Sequence, residues 1–146
     1  MQKIIIGRKD KVSLPEFGLK ELNAKIDTGA YRSALHCHEV ESFLLNGEEV
    51  LRFKLLDPSH PEYEDRFCYA HTFRQRKVKS SSGTIEERYV ITTTLTIFNR
   101  EHQVEFSLTD REAMKHPLLL GRKFLSHQFL VDVNKSNLSF KLNNKK

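Results

Sequence analysis

The stretch Ala24-Lys25-Ile26-Asp27-Thr28-Gly29-Ala30 joins a short strand pattern to a turn that carries a carboxylate. Asp27 follows the apolar run, so a turn at this point can direct its side chain into a cleft, where it could activate water. The hydroxyl of Thr28 can bond to a neighbouring loop and stiffen the turn. Gly29 allows the backbone to approach the carboxylate and to adopt a conformation closed to other residues. Because Asp-Thr-Gly also occurs in ordinary turns, the rest of the chain must decide whether this is a catalytic loop.

Length and composition predict a single domain over residues 1–146. The apolar and charged fractions, 38% and 29%, are typical of a globular protein with a hydrophobic core. The first eight residues carry three consecutive apolar side chains, too few for a signal peptide or a membrane span. Cys37 and Cys68 do not make a disulfide framework, so the expected compartment is a reducing cytoplasm. The net charge of +5 favours an anionic partner or substrate.

Strand patterns separated by turns occupy most of the chain. Asn46-Gly47 is the strongest hairpin signal and lies between runs at 40–45 and 50–56. We predict about ten short strands and one short C-terminal helix, and therefore a mostly β domain built as a closed or partly closed barrel. The later predicted elements are a long hairpin of 67–79 and 84–98 with a flexible tip at 80–83, a strand at 103–109, a helix within 122–127 and a last hairpin of 129–133 and 138–142.

A buried strand is predicted near the C-terminus, where Leu118-Leu119-Leu120-Gly121 follows Pro117. The order of features resembles retropepsin-type aspartic proteases. In those domains an apolar strand ending in glycine passes beneath the Asp-Thr-Gly loop and leads into a short helix, and a hairpin flap lies between the two motifs. Here Leu119-Leu120-Gly121-Arg122 and the polar-tipped long hairpin stand at the corresponding places.

The resemblance narrows to the RimB-type family of retropepsin-like peptidases, which carries an older description as ATP-dependent zinc protease-like, and it extends from Gly7 to Val133. It implies a cytoplasmic peptidase that trims oligo-glutamate tails, which in the bacterial system an ATP-grasp glutamate ligase adds to a small-subunit ribosomal protein. Composition itself supplies only a surplus of basic residues compatible with that substrate. The matching segments are 24–30, Ser33-Ala34-Leu35-His36, 78–83, Glu87-Arg88-Tyr89-Val90-Ile91, Leu108-Thr109-Asp110-Arg111, Met114 and 117–122.

The predicted catalytic residues are Asp27, Thr28 and Gly29. Aspartic proteolysis uses two carboxylates that share one proton, because two carboxylates so close cannot both ionise cheaply. The chain has a single Asp-Thr-Gly. We therefore expect a homodimer in which Asp27 of each copy meets at the two-fold axis.

Five basic residues are predicted to bind an acidic substrate, because arginine matches carboxylates with paired donors. They are Arg32, Arg76, Lys79, Arg88 and Arg122. The RimB-type family often has a basic residue directly after Asp-Thr-Gly-Ala, where Tyr31 stands here, so Arg32 is shifted by one position and to the other strand face. Lys25 shares a strand face with Asp27. It could tune the dyad or reach outward to solvent.

The sequence leaves three alternative functions. A zinc hydrolase is suggested by His36-Cys37-His38, but strand alternation separates Cys37 from the two histidines, and no accompanying metal motif occurs. His36 is predicted instead as a hydrogen-bonded residue near the site that tunes it. Nucleic-acid binding has support only from the basic run 74–79 beside Phe73, and is not favoured. The third is a module that binds acidic tails without cleaving them. No metal and no cofactor is predicted.

Overall fold

The computed structural model describes residues 2–79, 82–110 and 116–144. Over these ranges it contains eleven strands, two short α-helices and one 3₁₀ turn at Pro15–Phe17. Their bounds are β1 Ile4–Ile6, β2 Lys9–Leu14, β3 Leu19–Ile26, β4 Ser33–Leu45, β5 Glu48–Leu55, β6 Cys68–Ala70, β7 Arg74–Lys79, β8 Ile85–Ile97, β9 Arg100–Thr109, β10 Leu118–Leu120, α1 Arg122–Leu125, β11 Phe129–Val131 and α2 Leu138–Asn143. The predicted mostly β class is confirmed, and the predicted helix lies at α1.

The main sheet closes on itself through the short strand β10. It pairs in parallel with β3 on one side and antiparallel with β4 on the other. The remaining pairings follow the order β3, β2, β8, β9 and β4, so the six strands form a ring. β5 and β6 extend this sheet from β4, and β7 pairs with the outer part of β8.

The ring encloses the hydrophobic core. Strand β2 alternates buried and half-buried side chains, as expected when one face is turned inward. All three residues of β10 are buried, in agreement with the continuous apolar run at 118–120. Large, fully buried side chains include Phe53, Leu95 and Phe106. Cys37 and Cys68 are both buried free thiols, and burial raises the pKa of Cys37 to about 12.

The Asn46-Gly47 hairpin is confirmed. β4 and β5 pair from Leu45–Glu48 inward, and both turn residues have positive φ, 52° and 82°. This backbone conformation suits Asn and Gly and matches the twist of the flanking strands. The conformational preferences of Asn46 and Gly47 therefore determine where this hairpin turns.

Two sequence-based predictions are wrong in detail. The run 67–79 is not one strand, because β6 pairs with β5 and the chain turns at 71–73 before β7 pairs with β8. The run 138–142 is not a strand, since it forms α2. Backbone N–H groups of Ser139 and Phe140 donate to the buried carboxylate of Asp10 at 2.9 and 3.1 Å, so a distant residue caps this helix.

Several predicted features fall outside the described residues. They are Ser80 and Ser81 of the hairpin tip, and Arg111 and Met114 of the family pattern. In the part of the chain that is described, none of the helices has the length and apolar character needed to cross a bilayer.

Candidate active site

The loop that carries Asp27 begins where β3 ends. The Gly29 N–H donates to Asp27 Oδ1 at 2.9 Å, and the Ala30 N–H donates to the Asp27 carbonyl oxygen at 3.2 Å. A Cβ atom on Gly29 would lie 3.2 Å from Asp27 Oδ1, so a side chain at this position would crowd the carboxylate. The expected special backbone conformation is not found, because the glycines with positive φ are residues 18, 47 and 83. Gly29 therefore suits the turn because it leaves room for the carboxylate, and not because of an unusual φ.

The segment 120–123 holds this loop from below. The Asp27 N–H donates to the Leu120 carbonyl oxygen at 2.9 Å, and the Arg122 N–H donates to that of Ala30 at 2.8 Å. The Gly121 N–H donates to Ser33 Oγ at 3.1 Å. A Cβ atom on Gly121 would lie 2.6 Å from the Arg32 carbonyl oxygen, so no side chain fits there. The expected partnership between the Asp-Thr-Gly loop and the Leu-Leu-Gly run is present.

Arg122 binds the Asp-Thr-Gly loop itself. Its guanidinium Nη1 donates to the Thr28 carbonyl oxygen at 2.9 Å. The guanidinium also lies 5.8 Å from the centre of the Tyr31 ring. The contact gives Arg122 a part in positioning the Asp-Thr-Gly turn. Contact with substrate remains a prediction for this residue.

A groove of about 530 Å³ opens beside Asp27, between the loop and the hairpin of β7 and β8, here called the flap hairpin. Four of the five predicted binding residues line this Asp27 groove, and the sequence reasoning missed a further cation, Lys77. That residue belongs to the basic run 74–79, which could have indicated it. The charged lining consists of Asp27, Arg32, Arg76, Lys77, Lys79 and Arg88.

The positive charge of the Asp27 groove is poorly balanced within the protein. Arg76 of β7 stands directly opposite Arg88 of β8, and like charges at such cross-strand positions destabilise a hairpin. Burial and the nearby guanidinium of Arg32 lower the pKa of Arg76. Arg88 has a weak contact with Glu86, 3.5 Å from Nη2 to Oε2. An anion in the groove would relieve this repulsion.

One family model covers the loop, its buried support and the flap hairpin. Residues 5–141 match the family described as RimB-like, retropepsin-like aspartic endopeptidase RimB. The chain belongs to the RimB-like family. The ring-like sheet is consistent with the retropepsin-like fold of that family, so the predicted fold and the predicted resemblance are both confirmed.

Relatives of this RimB-like chain include parts of longer proteins. It is 34% identical to a probable alpha-L-glutamate ligase of Shewanella halifaxensis over 92% of its own length, and 34% identical to one of Desulfotalea psychrophila over 89%. The chain spans only 29% and 28% of those proteins. A crystal structure of a Legionella pneumophila protein of unknown function (DUF785) is 25% identical, with a TM-score of 0.75, and the match covers 94% of this chain and 99% of the other.

His36 of the RimB-like domain is buried, and its side chain is hydrogen-bonded within the protein. Its Nε2 lies 2.7 Å from Asp57 Oδ2. Asp57 also accepts hydrogen bonds from the hydroxyl and the N–H of Ser59, which together with His36 lower its pKa to about 2. The pair ties the first part of β4 to the loop after β5. His36 is thus hydrogen-bonded as expected, while its nearness to the site and its influence on the Asp27 carboxylate remain predictions.

The geometry gives little support to the alternative of a zinc hydrolase. His38 directs Nδ1 to the Leu56 carbonyl oxygen at 2.8 Å and stacks on Tyr63. Across residues 2–79, 82–110 and 116–144, no group of three or more His, Cys, Asp or Glu side chains could hold a metal ion.

Lys25 is exposed on β3, between the buried residues Ala24 and Ile26. Whether it tunes Asp27 stays a prediction.

Proposed function

We propose that this domain is an aspartic endopeptidase that hydrolyses peptide bonds in acidic, glutamate-rich tails of a protein. The observation that carries the proposal is the Asp27 groove, in which one carboxylate faces five cationic side chains. A run of glutamates supplies carboxylates along an extended chain, and guanidinium groups bind carboxylates with two donors each. Such a substrate would neutralise the Arg76–Arg88 repulsion that the free protein carries.

The catalytic step needs a second carboxylate, which we assign to Asp27 of a second copy of the chain. One carboxylate of the dyad is ionised and takes a proton from water, while the other is protonated and donates to the substrate carbonyl oxygen. The water oxygen bonds to the carbonyl carbon. The C–N bond then breaks as the nitrogen receives a proton, leaving a carboxylic acid and an amine. The ionisations belong to the pair and not to either residue.

The names of the relatives support a substrate that contains glutamate. A glutamate ligase forms peptide bonds to glutamate, and this domain matches a part of proteins that carry that name. A hydrolase of the same bonds would be its chemical counterpart. The basic groove would equally suit a module that binds such tails without cutting them, so the decisive experiment must detect products.

The test is to incubate the protein with a glutamate-tailed peptide and to identify products by mass. Asp27→Asn should lower kcat/KM by at least about a hundredfold, because it removes the general base. The variant should keep the melting temperature of the wild type. Equal cleavage by both proteins would remove Asp27 from the mechanism, and cleavage by neither would leave the binding module as the function.

A further inference from the structure

A second cavity adjoins the Asp27 groove on the other side of Arg32. It encloses about 410 Å³ between β9, β8 and α1, and we call it the Phe124 cavity. Arg32, Ser33 and Ser107 line both spaces. The two spaces therefore adjoin at these three residues.

The two spaces differ in charge. Among the described lining residues of the Phe124 cavity, the cations Arg32 and Lys123 are matched by the carboxylates of Glu101 and Glu105. Glu105 already accepts hydrogen bonds from Lys123 Nζ and from Arg74 Nη2, each at 2.5 Å. The Asp27 groove holds five cations against one carboxylate. A glutamate side chain consequently gains far less from entering the Phe124 cavity than from staying in the groove.

Beside its polar residues, the lining of the Phe124 cavity contains an apolar part. Val90, Val104 and Phe124 are buried there, and the ring of His102 meets the Phe124 ring edge-on at 5.2 Å. Burial lowers the pKa of His102, with a smaller contribution from Arg100, which favours its neutral form.

The amide nitrogens at the rim of the Phe124 cavity are already bonded within the protein. Gln103 Nε2 donates to Thr94 Oγ1 at 2.7 Å, and Gln128 Nε2 donates to the Phe124 carbonyl oxygen at 2.9 Å. Neither group depends on a ligand for its hydrogen bond. The apolar part of the lining is therefore left for a ligand, and it suits a hydrophobic side chain.

We propose that the Phe124 cavity binds an apolar side chain of the substrate protein, next to the glutamate run. This inference rests on the proposed function and deepens it. The enzyme would recognise two features at once, acidic residues in the Asp27 groove and an apolar residue in the adjoining cavity. The preferred substrate is then the junction between the body of a protein and its glutamate tail, and a tail of glutamate alone is the poorer one.

The experiment compares peptides that differ in one residue before the same run of glutamates, phenylalanine in one and serine in the other. Wild-type protein should cleave the phenylalanine peptide with kcat/KM higher by about tenfold or more, the usual discrimination from one buried apolar side chain. Glu101→Trp and Gln103→Trp place a large ring at the mouth of the Phe124 cavity from exposed positions. Both should reduce the ratio of the two kcat/KM values towards one.

Ser126→Trp is the matched control, because Ser126 is exposed at the end of α1 and does not line the cavity. It should keep the wild-type ratio. Binding of the same peptides to Asp27→Asn protein, followed by fluorescence anisotropy, separates recognition from catalysis. Preferential binding without cleavage by the wild type would support the cavity and contradict the proposed function. Equal kcat/KM and equal binding for the two peptides, or a preference that survives both tryptophan variants, would overturn the inference.

Discussion

Gly121 is the residue at which the support of the Asp27 loop is least tolerant of change. A methyl group there would lie 2.6 Å from the backbone oxygen of Arg32, and backbone cannot move aside as a side chain can. Gly121→Ala should lower the free energy of unfolding by about 1–3 kcal/mol, measured by urea denaturation. Activity should fall as well, because the displaced segment carries Arg122 and its bond to Thr28.

Gly29→Ala provides the comparison, since its new Cβ would meet only the Asp27 carboxylate at 3.2 Å. Stability should change less than in Gly121→Ala, while kcat falls by about tenfold or more through misplacement of the carboxylate. If Gly29→Ala proved the more destabilising of the two, the assigned contacts would be wrong.

Asp57 makes stability depend on pH in the acid range. Its pKa in the folded protein is about 2, below the ordinary 3.8, so the folded state favours the ionised carboxylate. This contribution is fully present above about pH 4 and is lost as the pH falls towards 2. The urea midpoint of Asp57→Asn should be lower than that of the wild type at pH 6, and the difference should shrink as the pH approaches 2. A difference that is constant with pH would contradict the role of ionised Asp57.

The flap hairpin is the element that we propose recognises the charge of the substrate. Arg76→Glu should raise KM for a glutamate-rich peptide by about tenfold or more, because it replaces a charged hydrogen-bonding partner with a repulsive one. KM for a neutral peptide should change much less. Arg100→Glu is the control of equal charge change at an exposed site outside the groove. Equal effects of the two reversals would indicate that only net charge matters, and added salt should narrow the difference between them.

Helix α2 shows what local sequence could not reveal. Leu138-Ser139-Phe140-Lys141-Leu142 alternates apolar and polar residues, which predicts a strand. Asp10 receives the first helical N–H groups, and Ser139 Oγ accepts a bond from the Phe98 N–H at 2.8 Å. Both partners are far away in sequence, so these tertiary contacts override the alternation. The Asn46-Gly47 turn was predictable for the opposite reason, since both of its residues adopt the conformation locally.

The candidate site was predictable to the extent that its parts are sequence motifs. Two motifs are recognisable in the sequence, at Asp27 to Gly29 and at Leu119 to Gly121. Their pairing follows from the retropepsin resemblance. The gathering of Arg32, Arg76 and Arg88 around one groove depends on strand register, which the sequence alone does not specify. The Phe124 cavity arises where three elements meet, and no contiguous stretch of the sequence indicates it.

The molecule as a whole is proposed to work as a dimer, and mixing experiments test this directly. Wild-type protein combined with an equal amount of Asp27→Asn should exchange subunits and form mixed dimers with one intact carboxylate. If these are inactive, activity falls to about half that of the same wild-type protein alone. An equal amount of serum albumin should have no effect. Unchanged activity after prolonged mixing, together with a monomeric mass in solution, would exclude a shared dyad.

The position of β10 also fixes when the site can first exist during synthesis. Residues 24–26 leave the ribosome well before residues 118–120, and until then neither β3 nor β4 has its partner in β10. The Asp27 N–H likewise lacks its acceptor, the Leu120 carbonyl oxygen. Pairing over such a separation is slow compared with local hairpins. A nascent chain therefore passes through most of its synthesis with the Asp27 carboxylate unpositioned.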